Sequence, residues 1–378
     1  TFWVSLIRPS AGLAAGLAII AASPFVALGL LGVQAARARW RRPAMGRVSA
    51  VSVCLAILLA PVLAYEGSLL LTTVIHSGPN GDGTFIWEIK ARYFAAVGGV
   101  PQSIFHDLSR PWSHLEYPFL LPLMEALAFR ALGAPSQGAD MVVTAAFVLS
   151  LLVLLHEMVR RTQGFGLAVA FALLMITIPA FWDNALQAFA DLPLALFILA
   201  GAWFVYRWFD HGRRLSDLLL GGVLLALAIW MKREGIVVWA TGAGAIGAWT
   251  VWTSFRRRSP VWRPLLAYLA PVVVILPWWE DVARSGLQDH DFAFTYTWFL
   301  NHVDRVPTLF QALGAQLALL SAWGITWVLV GAGILLRPPR SPGRGFLVAA
   351  VAAHLFAITF AYTFSTWDPY MAHVNASI

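Results

Sequence analysis

The chain has 378 residues, of which 59% are hydrophobic and only 12% charged, with a net charge of +7 and a mean hydropathy of +0.72. A soluble domain is about 25% charged, so a water-soluble globule of this size is excluded. The basic excess is not a nucleic-acid footprint either, because the Lys and Arg residues cluster between apolar runs, where the positive-inside rule puts them.

Apolar runs of about 18 residues or more are read as spanning helices. Ala11–Val33 is the first, kinked at Pro24, and ends in Arg37, Arg39, Arg41, Arg42 and Arg47. Val48–Ile75 is the second and carries Cys54, Pro61 and Glu66; as Cys54 is the single cysteine, no intrachain disulfide can form. A polar, aromatic stretch follows over 76–117. Leu120–Leu132, interrupted by Glu125 and Arg130, is short for a crossing and is expected to re-enter or lie at the interface. Further runs are Met141–Val159, Phe165–Ile178, Leu192–Trp208, Leu218–Trp230, Ile236–Val251, Pro264–Trp278, Leu317–Leu336 and Phe346–Phe364. The expected fold is all-α and polytopic, a single membrane domain over 1–378 with about ten transmembrane helices. The chain opens on Thr1 rather than Met and ends abruptly, so further residues are expected at both ends.

Arg160–Arg161, Arg213–Arg214, Arg256–Arg258 and Arg337, Arg340 and Arg344 fall in alternate loops and, with Arg37–Arg47, mark one side as cytoplasmic. The opposite loops are then 76–117, 181–191, 232–234, 279–308 and the C-terminal tail, which places the working face outside the inner or plasma membrane. Lys232 and Arg233 break the charge rule. Two cations at the end of an apolar helix need partners; Glu234 neutralises one, and the other is free for an anion such as a lipid phosphate. The plain alternative is snorkelling to the interface.

In the first outer loop, Gly78-Pro-Asn-Gly81 makes a turn and Asp82 follows. The segment Thr84–Phe94 suits a helix lying along the interface, with Phe85, Ile89 and Tyr93 on one stripe and Glu88 on a solvated face. Asp82 heads that helix, where Asp is a common N-cap. Trp112, His114, Glu116, Tyr117 and Pro118 return the chain to the membrane.

These residues carry a resemblance. Asp82, Trp87, Lys90 and Ala91 resemble the Asp-x4-Trp-x2-Lys-Ala pattern in the first extracytoplasmic loop of GT-C-type membrane glycosyltransferases, relatives of the protein mannosyltransferases and aminoarabinose transferases. Tyr117-Pro-x3-Pro122, with Ala126 and Gly133, is similar to the following segment, although the family's two prolines are adjacent. Ala188-Phe-Ala-Asp191-Leu-Pro resembles the family's second acidic site, Lys232-Arg-Glu-Gly235 its Lys-x-Glu-Gly helix end, and Ser365–His373 a C-terminal motif of bacterial members. Ala11–Val33 is a span beyond the family pattern.

The resemblance implies a polyprenyl-phosphate-sugar donor, an acceptor hydroxyl on a glycan, lipid or protein, and transfer with inversion. Asp82 takes the role of general base. Lys232 and Arg233, then Lys90 and His373, are assigned to the donor phosphate, because charge developing on the leaving group calls for preorganised cations. Asp191, Glu234, His114 and Tyr117 are assigned to orienting the sugar or acceptor. Asp191 is also explained simply as an acid in a first helical turn.

Asp289-His-Asp291 has the composition of a divalent-metal site, but a polar outer loop explains it as well, and no cofactor or metal is expected. Trp112, Trp182, Trp278, Trp279 and Trp367 read as an aromatic belt, with one or two available to stack on a sugar. Partners are then the donor lipid, the acceptor and membrane lipids, with no nucleic acid. The rival reading is a transporter or lipid-linked-sugar flippase; it calls for charges near the midplane and two related halves, whereas here the charges gather at one face. A scaffold subunit would need Asp82 only as a cap.

Overall fold

The computed structural model describes residues 81–101, 103–104, 113–287, 289, 291–336 and 340–377. The runs Ala11–Val33 and Val48–Ile75, Glu66, the Gly78–Asn80 turn, Trp112 and His290 lie outside the described residues. The described residues are helical and contain no strand; their one sheet-like contact is an isolated bridge between Phe292 and Ser365. Five helices are long and apolar enough to cross a bilayer: Gln137–Gln163, Asp191–Asp210, Gly235–Arg257, Arg263–Ser285 and Pro342–Phe364. Phe165–Ile176 and Pro179–Leu186 pass the same test taken together, which makes up to six. Leu215–Met231 and Thr326–Leu335 are shorter apolar helices. The chain is an integral membrane protein of the all-α class.

The chain forms two compact units. Of the described residues, the first holds 81–101, 103–104, 121–177 and 185–189. In it Gly81, at φ 51°, closes a turn by accepting from Thr84 and Phe85 N–H. A π-helical turn over Gly83–Glu88 leads into the helix Ile89–Val97, which Gly98 ends in a left-handed cap. Ile86, Trp87, Ala91 and Phe94 are buried while Phe85 and Tyr93 are exposed, so the segment is two-faced as its sequence suggests. Leu120–Leu132 is a helix of 13 residues, about 20 Å long and short of a bilayer core of about 30 Å.

Glu88 is not on a solvated face: it is buried and joined to Arg92 one turn on, beside the buried acids Glu125 and Asp140. Its place four residues before the exposed Arg92-Tyr93 pair made the outer face the simpler assignment; the acids around it come from elements distant in sequence. Burial, reinforced by Asp140 and Glu88, raises the Glu125 carboxyl well above its ordinary value.

Of the described residues, the second unit holds 113–120, 178–184, 190–287, 289, 291–336 and 340–377. Its core joins the helices Asp191–Asp210, Leu215–Met231, Gly235–Arg257, Arg263–Leu269 and Pro342–Ala361 through Val205, Trp208, Leu218, Leu225, Ile246, Tyr268 and Phe346. Small residues allow the close approach that packing in a membrane relies on: a Cβ added at Gly242 would lie 2.3 Å from Tyr268 Oη. Tyr268 Oη in turn donates to Trp239 O at 2.8 Å. The run Leu317–Leu336 is not one helix, contrary to its apolar pattern. It breaks first at Ala318–Leu319, where Leu319 is extended at ψ 99°, and again at Gly324, whose φ of 54° and ψ of −135° suit glycine alone, and resumes at Thr326.

At one end of this unit Asp210 accepts from Ser341 Oγ at 2.6 Å and from Gly343 N at 3.1 Å, fastening the start of the helix Pro342–Ala361. Asp210→Ala is expected to cost about 1–3 kcal/mol, since it leaves a helix N-terminus without its charged acceptor. Thermal unfolding in detergent measures it, and an unchanged midpoint would show the latch to be idle.

Candidate functional site

The second unit gathers its charges around a turn. Leu215–Met231 ends where Lys232 leaves helical geometry, at φ −155° and ψ 140°, and Gly235 opens the next helix. The turn closes through Gly235 N to Lys232 O and Ile236 N to Arg233 O, each at 3.0 Å. Gly235 is needed for proximity: a Cβ there would lie 2.5 Å from Ala228 C and 2.7 Å from Ala228 O. Both neighbours are backbone, so Gly235→Ala must push the Lys232–Glu234 turn aside. A displacement of about 1 Å can cost a site 100-fold; for the sugar transfer that the resemblance implies, a rate lowered about 10- to 100-fold with helix content intact by circular dichroism is expected.

Each cation of the turn has carboxylate partners. Lys232 Nζ donates to Asp191 Oδ1 at 2.9 Å and lies 3.5 Å from Glu234 Oε1. Burial pushes the Lys232 ammonium down, but Asp191 and Glu234 outweigh it and hold it well above its ordinary value, so it stays charged. Asp191 sits in the first turn of Asp191–Asp210. Arg233 NH2 donates to Asp289 Oδ2 at 2.6 Å and lies 3.8 Å from Glu116 Oε1. Its guanidinium also stands 4.6 Å over the Tyr117 ring. The second cation, left over for an anion in the sequence reading, is thus already matched by Asp289, 56 residues away in sequence.

The returning end of the first outer loop forms the next layer. His114, at φ 48°, stacks on Tyr117 with ring centroids 4.6 Å apart. Its Nδ1 lies 3.1 Å from Glu116 Oε1 and its Nε2 lies 3.4 Å from Asp291 Oδ2. Burial drives Glu116 up, but the His114 hydrogen bond, its own backbone and Arg233 prevail and hold the carboxyl below its ordinary value. Burial, with help from Glu234, holds the Tyr117 phenol well above its ordinary value, so it remains a neutral donor. Asp291 Oδ1 accepts from Trp367 Nε1 at 3.0 Å, and Asp291 O accepts from Thr366 N at 2.9 Å. The pair Asp289 and Asp291 thus serves side-chain contacts, and among the described residues no group of three potential metal ligands is arranged around an ion.

The structure therefore brings His114, Tyr117, Asp191, Lys232, Arg233 and Glu234 into one connected network. Asp82 and Lys90 belong to the other unit. Asp82 is exposed, has helical dihedrals of φ −59° and ψ −33°, and makes no side-chain cap bond. Lys90 is 2% exposed, with its ammonium 5.4 Å from the centroid of the Trp87 ring. His373 lies on the helix Tyr370–Ser377, its side chain outside what is described.

Residues 116–280 match the family model described as dolichyl-phosphate-mannose-protein mannosyltransferase. The resemblance to GT-C-type membrane glycosyltransferases holds. The matched segment takes in Glu116, Tyr117, Asp191 and the Lys232–Gly235 turn, and leaves Asp82, Asp289, Asp291 and His373 outside. Two solved structures are similar: ArnT from Cupriavidus metallidurans bound to undecaprenyl phosphate, at 14% identity and a TM-score of 0.46, and ArnT from the same organism in the apo state, at 16% and 0.45. Each alignment covers 82% of this chain and 60% of the ArnT chain, so this chain spans about three fifths of those relatives. No curated protein matches it.

Glu116, Asp289 and Asp291 are members of the network that were not assigned a role from sequence. Glu116 had a signal, because it stands between His114 and Tyr117 on the segment returning to the membrane. The helix Pro342–Ala361 adds His354, whose Nδ1 is buried with no hydrogen-bond partner among the described residues and which interacts electrostatically with Glu234, Lys232 and Asp191.

Proposed function

We propose that the chain is a membrane glycosyltransferase that moves a sugar from a polyprenyl-phosphate donor to an acceptor hydroxyl on the extracytoplasmic face of the inner membrane. The observation that carries this reading is the Lys232-Arg233 pair held in place between two apolar helices, within the segment that matches the mannosyltransferase family. A lipid-linked phosphate has its headgroup at the membrane boundary, and a fixed ammonium beside a guanidinium suits it.

In the proposed reaction the bond between the anomeric carbon and the phosphate oxygen breaks through an oxocarbenium-like transition state. The electron pair stays on the polyprenyl phosphate, whose developing charge Lys232 and Arg233 stabilise. The acceptor oxygen bonds the anomeric carbon from the opposite face, and its proton passes to Asp82, so the product is inverted. Asp82 is assigned by its place in the motif. Asp191 and Glu234 orient Lys232, while Tyr117 and His114 stand beside Arg233 to hold sugar or acceptor hydroxyls. No metal or cofactor is invoked.

The test is transfer of a radiolabelled sugar from a polyprenyl-phosphate donor, in membranes containing the wild-type chain and in matched membranes without it. Donor-dependent labelling of an acceptor is expected only in the first. If a panel of donors and acceptors gives none, the flippase reading replaces this one.

A further inference from the structure

The charges of the turn do not balance. Two cations, Lys232 and Arg233, face four carboxylates, those of Asp191, Glu234, Glu116 and Asp289. A phosphate adds further negative charge, and like charges at this range repel by an amount that rules out simple addition in a partly desolvated site. One carboxylate has to yield. Asp191 is fixed in the first turn of a 20-residue helix, Glu234 is Lys232's near neighbour in the turn, and Glu116 is 5% exposed and engaged by His114. Asp289 lies on a non-helical stretch; its Oδ2 takes the Arg233 N–H directly, at 2.6 Å, while its Oδ1 is held by the Asp291 N–H, at 3.0 Å. Carboxylate and phosphate oxygens compete for guanidinium N–H groups in the same way. Arg233 keeps an independent support when Asp289 leaves, because its guanidinium rests on Tyr117.

We propose that Asp289 competes with the donor phosphate for Arg233, so that donor binding and product release each exchange one oxyanion for another on the same guanidinium. The inference rests on the phosphate reading of the turn and extends it to a residue outside the matched segment. The exchange has a use: polyprenyl phosphate, the charged product, is displaced by a tethered carboxylate and does not remain as an inhibitor.

The experiment measures equilibrium binding of a labelled polyprenyl phosphate to the purified chain in nanodiscs, at fixed salt. Asp289→Asn is expected to bind about tenfold more tightly than wild type, and Asp289→Ser likewise, with thermal melting confirming that both fold. Arg233→Gln is expected to bind more weakly, and adding Asp289→Asn to it should bring no gain. In turnover, Asp289→Asn should show stronger inhibition by added polyprenyl phosphate. If both Asp289 variants fold and bind as wild type or more weakly, while Arg233→Gln still loses binding, competition is overturned and Asp289 only orients Arg233. If neither Arg233→Gln nor Lys232→Gln weakens binding, the phosphate reading falls and the competition with it.

Discussion

Asp82→Asn is expected to lower sugar transfer by about two orders of magnitude or more while leaving binding of polyprenyl phosphate unchanged. The substitution is close to isosteric and removes the proton acceptor. It also separates the base from its plain alternative. Asn caps helices as well as Asp does, so a residue needed only at the head of the helix would tolerate the change. The cap alternative is weak on geometry as well, because Asp82 has helical dihedrals and its side chain makes no cap bond. Melting should therefore barely move in Asp82→Asn, and Asp82→Ala should add little. Transfer at the wild-type rate by Asp82→Asn would remove the base assignment and keep the enzyme. Loss of transfer together with loss of fold in both variants would return Asp82 to a structural role.

What the sequence discloses here is what neighbours in sequence decide. Apolar runs between basic clusters marked the helices because burial in lipid acts on each segment separately, and Lys232-Arg-Glu stood out as charges at a helix end. Asp191, at the head of its helix, was legible for the same reason. The pairing was not legible. Arg233 finds Asp289 across 56 residues, and His114 reaches Asp291, so the partners depend on how helices pack and not on any local pattern. Glu88 was placed on the wrong face because its burial is set by Glu125 and Asp140, residues of two other helices. The Leu317–Leu336 run misled by composition: its residues are mostly apolar, and only the backbone conformations of Leu319 and Gly324 show where helix stops.

The second large effect belongs to Lys232. Lys232→Gln is expected to reduce kcat/KM by about 100- to 1000-fold, the range seen when a preorganised donor to developing charge is removed. Two mechanisms predict such a loss. In one, Lys232 stabilises the leaving phosphate. In the other, Lys232 only neutralises Asp191, 2.9 Å away, and its loss leaves a carboxylate beside Glu234 with no counter-charge. The pair Asp191→Asn and Lys232→Gln distinguishes them, because contacting residues are apportioned only by a double-mutant cycle. If neutralisation is the whole role, the double variant recovers most of the activity, since its Asn needs no cation. If Lys232 serves the phosphate, the double variant stays as inactive as Lys232→Gln and binds polyprenyl phosphate as poorly, although its melting temperature recovers. Lys232→Arg gives a further check. It keeps the charge but replaces a compact ammonium with a wider planar fork; partial binding with poor turnover is expected where position as well as charge matters. Binding and turnover both near wild type in Lys232→Gln would remove Lys232 from the chemistry.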